Sequence, residues 1–228
     1  MIQLQNLSMS YSSKTVLASI NQDFELHRIY GIVGLNGAGK STLFNVLSAA
    51  MKAQEGEILF NGKPLHYTDI AYLETVNYFY SRITGREYLS IFKQNNPEFN
   101  LASLQEYFKL PLDELIETYS TGMRKKLALL GILKQNKSIY LFDEPFNGLD
   151  METNKVLEII IQTLKQKGKT IFISSHIIDP LLHLCDSIHY LEHGNFVKSY
   201  NKENFHVIEE ELFSKLKREA QTLISKSI

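Results

Sequence analysis

Cysteine is almost absent. Cys185 stands alone in 228 residues, which excludes a disulfide framework or a cysteine-built metal site and fits a reducing compartment, with the thiol expected buried and inert. An excess of charge is missing too: Lys and Arg number 24 against 25 Asp and Glu, so no basic field exists to draw the chain onto nucleic acid. No run approaches the roughly 20 apolar residues that span a bilayer. The alternating start Ile2-Gln3-Leu4-Gln5-Asn6-Leu7 carries neither the basic nor the long apolar region of a secretion signal. Internal repeats and low-complexity tracts are also missing. A chain of this length buries a core as one large domain, or as one domain with an inserted lobe.

What is present centres on Gly34-Leu35-Asn36-Gly37-Ala38-Gly39-Lys40-Ser41-Thr42, between the apolar run Ile29–Val33 and Leu43-Phe44-Asn45-Val46-Leu47. It reads as strand, glycine loop, helix. The glycines let successive N–H groups curl into one concavity, to which the helix adds the positive end of its dipole. Such a concavity suits a polyphosphate. Lys40 reaches the β- and γ-phosphates as a point charge, and the Ser41 hydroxyl is placed to ligate the accompanying Mg²⁺. The spacing is that of a P-loop, so nucleotide binding is expected, but the loop alone does not say what the nucleotide is for.

Around it, residues 2–7 and 20–26 alternate apolar and polar, which predicts an antiparallel pair with one wet face. Asn61-Gly62 after Glu57–Phe60 marks a tight turn, and Ile70–Leu73 reads as a short strand. From Thr84 to about Leu133 the period becomes helical, as in Tyr88, Ile91, Phe92 and in Leu101, Leu104, Tyr107, Phe108. A helical insertion over about 76–133 is expected. Ser138–Phe142 and Thr170–Ser174 are apolar on both faces and flank a helix over 154–167, the pattern of a parallel sheet with right-handed crossovers. Ile188–Leu191 and Asn195–Lys198 read as a hairpin. The fold class is therefore α/β: a P-loop core with a mostly parallel sheet, an N-terminal antiparallel subdomain and a helical insertion, one domain over 1–205. From 206 to 228 the spacing of Leu212, Phe213, Leu216, Ala220 and Leu223 predicts an amphipathic helix that either docks on the core or serves a membrane surface or partner.

Three further stretches carry chemistry. Asp143-Glu144 end a buried apolar strand and so emerge at the sheet edge that carries the P-loop, Asp143 placed to hold Mg²⁺ and Glu144 to orient and deprotonate a water. Ser120-Thr121-Gly122 precede the apolar helix residues Leu127, Leu130 and Leu133, as an ordinary capped helix start or as a second anion site. His176 follows Ser174-Ser175 at a strand end, structural or catalytic. Tyr11 ends the first strand, as sheet packing or as a ligand contact.

These segments, in this order over residues 1 to about 200, resemble the nucleotide-binding subunits of ATP-binding cassette transporters. Gly34–Thr42 is similar to the family's Walker A, Ser138–Asp143 to its Walker B with Glu144 as base, Tyr119–Met123 to its signature, Asn147-Gly148-Leu149-Asp150 to its D-loop, His176 to its switch histidine and Tyr11 to the aromatic that stacks on adenine. The resemblance implies two ATP molecules sandwiched head to tail between two cassettes, a homodimer or a heterodimer. Ser120, Thr121 and Gly122 of one chain would then face the nucleotide held by Lys40 of the other. It also implies ATP hydrolysis with Mg²⁺ and an integral membrane partner at the inner face of the cell membrane. The form Tyr-Ser-x-Gly-Met with Ile83-Thr84-Gly85-Arg86-Glu87 is most similar to exporter-type subunits. A soluble, non-transport ATPase and a non-hydrolysing regulator are the alternatives. One departure stands out: no Gln occurs between Gln54 and Gln94, so Glu74 or Thr75 falls where the family places a metal-reaching Gln.

Overall fold

The computed structural model describes residues 1–208, Glu210 and Glu211. The amphipathic helix expected beyond 206 thus lies almost wholly outside the described residues. Strands β1 (Ile2–Tyr11) and β2 (Lys14–Phe24) form an antiparallel hairpin. They are joined by β4 (Glu55–Phe60) and β5 (Lys63–Pro64) in a four-stranded sheet ordered β2-β1-β4-β5. The predicted pair is present and longer than its alternation, because register shifts at Leu4/Leu7 and Leu7/Met9 break the period-two pattern, with Asn6 and Ser19 at positive φ. Between β4 and β5, Asn61 and Gly62 both take positive φ (52° and 75°), the geometry of a type I′ turn.

A second sheet carries β3 (Ile29–Val33), β6 (Ile70–Leu73), β7 (Ile139–Asp143), β8 (Thr170–Ser175), β9 (Ser187–Glu192) and β10 (Asn195–Asn201) in the order β10-β9-β3-β8-β7-β6. All its pairings are parallel except the β9–β10 hairpin. Helix α1 (Lys40–Leu47) leads out of β3 towards β4 of the first sheet, while α5 (Met151–Gln166) and α6 (Asp179–Leu184) connect β7 to β8 and β8 to β9. The insertion supplies α2 (Gly85–Ile91), α3 (Leu101–Phe108) and α4 (Thr121–Lys134); residues 76–83 contain no helix. Thr84 and Glu87 form a reciprocal capping box that starts α2, which gives the Thr84-Gly85-Arg86-Glu87 stretch a structural task of its own. α5 begins three residues earlier than its apolar spacing predicts, because Asp150 caps it by accepting from the Thr153 N–H at 2.8 Å.

The central strands are apolar throughout because each serves two cores. Tyr30 and Ile32 of β3, Ile139 and Leu141 of β7, and Phe172 of β8 pack with α1 and the antiparallel sheet. Their neighbours Ile29, Val33, Tyr140, Phe142, Ile171 and Ile173 pack on the opposite side with the helices of the insertion and with α5. The inserted helices bury Tyr88, Leu89, Phe108 and Leu127 in that same second core.

His189 is buried at the margin of the first core. Its two ring nitrogens meet the Ser187 and Ser199 hydroxyls at 3.1 and 2.8 Å, and its ring meets Phe24, Tyr30 and Phe196. Burial pushes its pKa down from 6.5 to about 4. The unfolded chain therefore binds a proton that the folded one does not between those values, and stability falls as pH drops from about 6.5 towards 4. The expected loss is up to about 3 kcal/mol. Thermal melts from pH 7 to 4 should show this slope in the native protein and a flatter one in His189→Gln.

Candidate functional site

The parallel register decides where the loops emerge. Val33 ends β3 opposite Ser175 of β8, Ser174 faces Asp143 at the end of β7, and Phe142 faces Leu73 at the end of β6. The glycine loop, His176, Glu144 and Thr75 thus all leave the sheet at one edge. They line one cleft of about 650 Å³ with Tyr11, Asn36, Gly37, Gly39, Lys40, Ser41 and Thr42.

The glycine loop is held by its neighbours. Gly37 and Gly39 have φ of +84° and +110°, and Gly39 forms the N-cap of α1. A Cβ on Gly34 would lie 2.4 Å from the Leu191 carbonyl oxygen. The Gly194 N–H donates to the Ala38 carbonyl at 3.2 Å, so the β9–β10 turn supports the loop from behind. Lys40 is only 7% exposed. Its Nζ donates to the Gly34 carbonyl at 2.7 Å and lies 3.8 Å from Glu144 Oε1. Burial lowers its pKa, while the Glu144 and Asp143 charges oppose that shift.

Asp143 is 2% exposed and accepts from the Ser174 hydroxyl; no ion pair engages it among the described residues. Glu144 has a φ of +48°, a left-handed conformation uncommon outside glycine and asparagine. Its N–H donates to Ser174 Oγ at 3.0 Å. Its Oε2 accepts from His176 Nδ1 at 2.9 Å and from Asn147 Nδ2 at 3.4 Å. Tyr11 is half-exposed, its hydroxyl 3.3 Å from Met51 Sδ.

Thr75 lines the cleft, its hydroxyl donating to the Asp143 carbonyl at 3.4 Å. Glu74 is not among the lining residues; its pKa is raised by burial and then by the nearby Asp143 charge. Leu35 is exposed. Ser120, Thr121 and Gly122 line no part of this cleft. Ser120 caps α4 by accepting from the Met123 N–H at 3.2 Å, and Gly122 packs so closely that a Cβ there would lie 3.2 Å from the Gly148 carbonyl. Asp150 also stands off the cleft, engaged with the Thr153 hydroxyl at 2.9 Å and with Lys126 at 3.6 Å.

Asn147, the first residue of the D-loop likeness, lines the cleft; sequence reasoning missed Lys14 and Val16 as lining residues and Lys125 beside them. Lys14 pairs with Tyr11 across the first hairpin, so it enters the cleft from the facing strand. Lys125 shares a helical stripe with Leu129 and Ile132, all buried, and a lysine on an apolar stripe was the available signal.

Comparison with known proteins agrees with this geometry. The family model described as ABC transporter matches residues 17–147, more than half of the chain. The cobalt import ATP-binding protein CbiO of Salmonella typhimurium is 31% identical, over 86% of this chain and 79% of its own. The lantibiotic transport ATP-binding protein SrtF of Streptococcus pyogenes is 29% identical, over 94% and 96%. A solved ATP-binding subunit of an ABC transporter superposes with a TM-score of 0.82 at 25% identity, covering 94% and 93%. A dimeric ATP-binding cassette in a post-hydrolysis state with ADP and Pi superposes at 0.78 and 20% identity, covering 89% and 99%, a likeness of fold. With its phosphate loop, paired acids and histidine at one sheet edge and this match across the sequence, the chain belongs to the ABC transporter family, as one of its ATP-binding, ATP-hydrolysing cassettes.

Proposed function

We propose that the chain closes with a second cassette around two ATP molecules and drives transport, in the direction of export, through a separately encoded membrane protein. The observation that carries this reading is the meeting of Lys40, Glu144 and His176 in one cleft. Lys40 and the N–H groups of residues 34–42 hold the phosphates, and Tyr11 offers its ring to the base. Glu144 takes the proton of the attacking water, and His176, bonded to it, orients the carboxylate and reaches the γ-phosphate. Ser120, Thr121 and Gly122, turned away from their own cleft, serve the nucleotide of the partner, with Asp150 alongside.

Mg²⁺ prefers hard oxygen ligands and keeps part of its shell for phosphate and water. The buried carboxylate of Asp143, without an ion pair among the described residues, and the hydroxyl of Ser41 fit that preference. They would hold the ion, with Thr75, not Glu74, supplying the nearby cleft oxygen. The ion supplies charge neutralisation at the phosphates.

A membrane partner is supported by the surface. Val76, Tyr78 and Tyr80 stand exposed in the segment that follows Thr75, and no helix among the described residues is long and apolar enough to cross a membrane. The chain would then work on the cytoplasmic side, peripheral through its partner. The lantibiotic transport and cobalt import relatives support transport, while export rests on the likeness to exporter-type signatures; which cargo moves is a property of the membrane subunit. Tagged chain solubilised gently from membranes is expected to retain a polytopic protein and to show Mg²⁺-dependent ATPase. Retention of soluble partners alone would favour a non-transport ATPase.

A further inference from the structure

Lys125 of α4 is 6% exposed, yet no carboxylate pairs with it among the described residues. Its Nζ donates to two main-chain carbonyls, Glu144 at 2.7 Å and Asn147 at 2.9 Å. These two carbonyls bracket the turn 144–147, which also closes through the Asn147 N–H to the Glu144 carbonyl at 3.3 Å. Within that turn Glu144 is held at a φ of +48°, a conformation that persists only when its surroundings enforce it. The enforcing contacts are Ser174 on the Glu144 N–H side and, on the carbonyl side, the Asn147 N–H and the Lys125 ammonium, the one charged donor of the set.

The helix that carries Lys125 starts at Ser120, and its Gly122 packs against the Gly148 carbonyl just past the same turn. One buried ammonium therefore fastens the helix whose start bears Ser120 and Gly122 to the turn that aims Glu144. Two carbonyls cannot satisfy each other. Without Lys125 both carbonyls would lose their charged donor, the Glu144 carbonyl would keep only the Asn147 N–H, and the turn would lose one of the contacts that hold its left-handed residue.

We propose that Lys125 is a positioning residue for hydrolysis: its ammonium fixes the turn that orients the Glu144 carboxylate and couples that turn to the start of α4. This rests on the reading of Glu144 as the base. A carboxylate displaced by an ångström or so loses roughly 10- to 100-fold in rate without losing the phosphate contacts.

The test is steady-state ATPase and ATP binding by Lys125→Met, Lys125→Arg and Glu144→Gln, each with a thermal melt. Lys125→Met is expected to lower kcat by about tenfold or more with KM for ATP within about twofold. Lys125→Arg, whose fork of donors spans two carbonyls, is expected to recover kcat to within about threefold of the native value. Should Lys125→Met not fold, Lys125→Gln, which keeps a neutral amide donor, is measured instead and is expected to have a kcat below that of Lys125→Arg and of the native protein. A Glu144→Gln protein that still hydrolyses ATP overturns both readings. An inactive Glu144→Gln beside an undiminished kcat in Lys125→Met or Lys125→Gln overturns this one alone, as does a parallel collapse of kcat and ATP affinity that arginine does not rescue.

Discussion

Glu144→Gln is expected to cut ATP turnover by roughly 100-fold or more while leaving ATP binding intact. The amide keeps the size of the carboxylate and still accepts from His176 Nδ1, now 2.9 Å from Oε2, but it cannot take a proton from water. The φ of +48° at this position is held by contacts of the Glu144 backbone with Ser174, Asn147 and Lys125, so glutamine inherits the same turn. Lys40, whose Nζ lies 3.8 Å from Glu144 Oε1, loses one negative neighbour and keeps its carbonyl partners. Binding without hydrolysis should let a closed, nucleotide-bound pair accumulate. Size-exclusion chromatography with and without ATP checks this: dimers that form only with ATP are the expected result, and a mutant that turns over at the native rate removes Glu144 from the role of base.

The second large effect is expected at Gly39. Two costs fall there together: a φ of +110° that a side chain tolerates poorly, and a Cβ that would come to 2.9 Å from the Val16 carbonyl oxygen. Gly37 has a φ of +84° and nothing within 4 Å of an added Cβ, so it carries the conformational cost alone. Strain of this kind costs about 1–3 kcal/mol, and forcing backbone to yield adds about 1–3 more. Gly39 is also the N-cap of the helix that holds Lys40 and Ser41, so relief of the clash moves the groups that hold the phosphates. Gly39→Ala is expected to weaken ATP binding by roughly 100-fold or more, and Gly37→Ala by roughly tenfold. Titration of a fluorescent ATP analogue separates them; equal affinities in the two variants would mean that the contact with Val16 does not constrain the loop.

Much of the fold was legible because the signals were local. The apolar runs of β3, β7 and β8 could only be buried strands, and Asp143-Glu144 at the end of one of them had to emerge beside the glycine loop. Asn61-Gly62 marked a turn through residues that tolerate positive φ. What escaped depended on pairing across distance. The bulges around Asn6 and Ser19 hid the full length of the first hairpin. The Asp150 cap hid the start of α5, because the capping oxygen belongs to a residue that the D-loop likeness assigns to nucleotide contact. Lys125 finds its partners 19 and 22 residues away, beyond any helical spacing. Between Glu74 and Thr75 the sequence offered no decision, and the cleft admits Thr75.

The division of residues along the central strands has a consequence for how such a chain can change. Tyr140 and Phe142 belong to the core of the inserted helices, while Ile139 and Leu141, on the same five-residue strand, belong to the core beneath α1. A volume change at one parity is absorbed on one side of the sheet only. The helical half can therefore be remodelled, one alternate position at a time, to suit a different neighbour, while the half that shapes the phosphate loop keeps its packing. The sheet acts as a bulkhead that separates the part of the molecule free to diversify from the part that must stay the same.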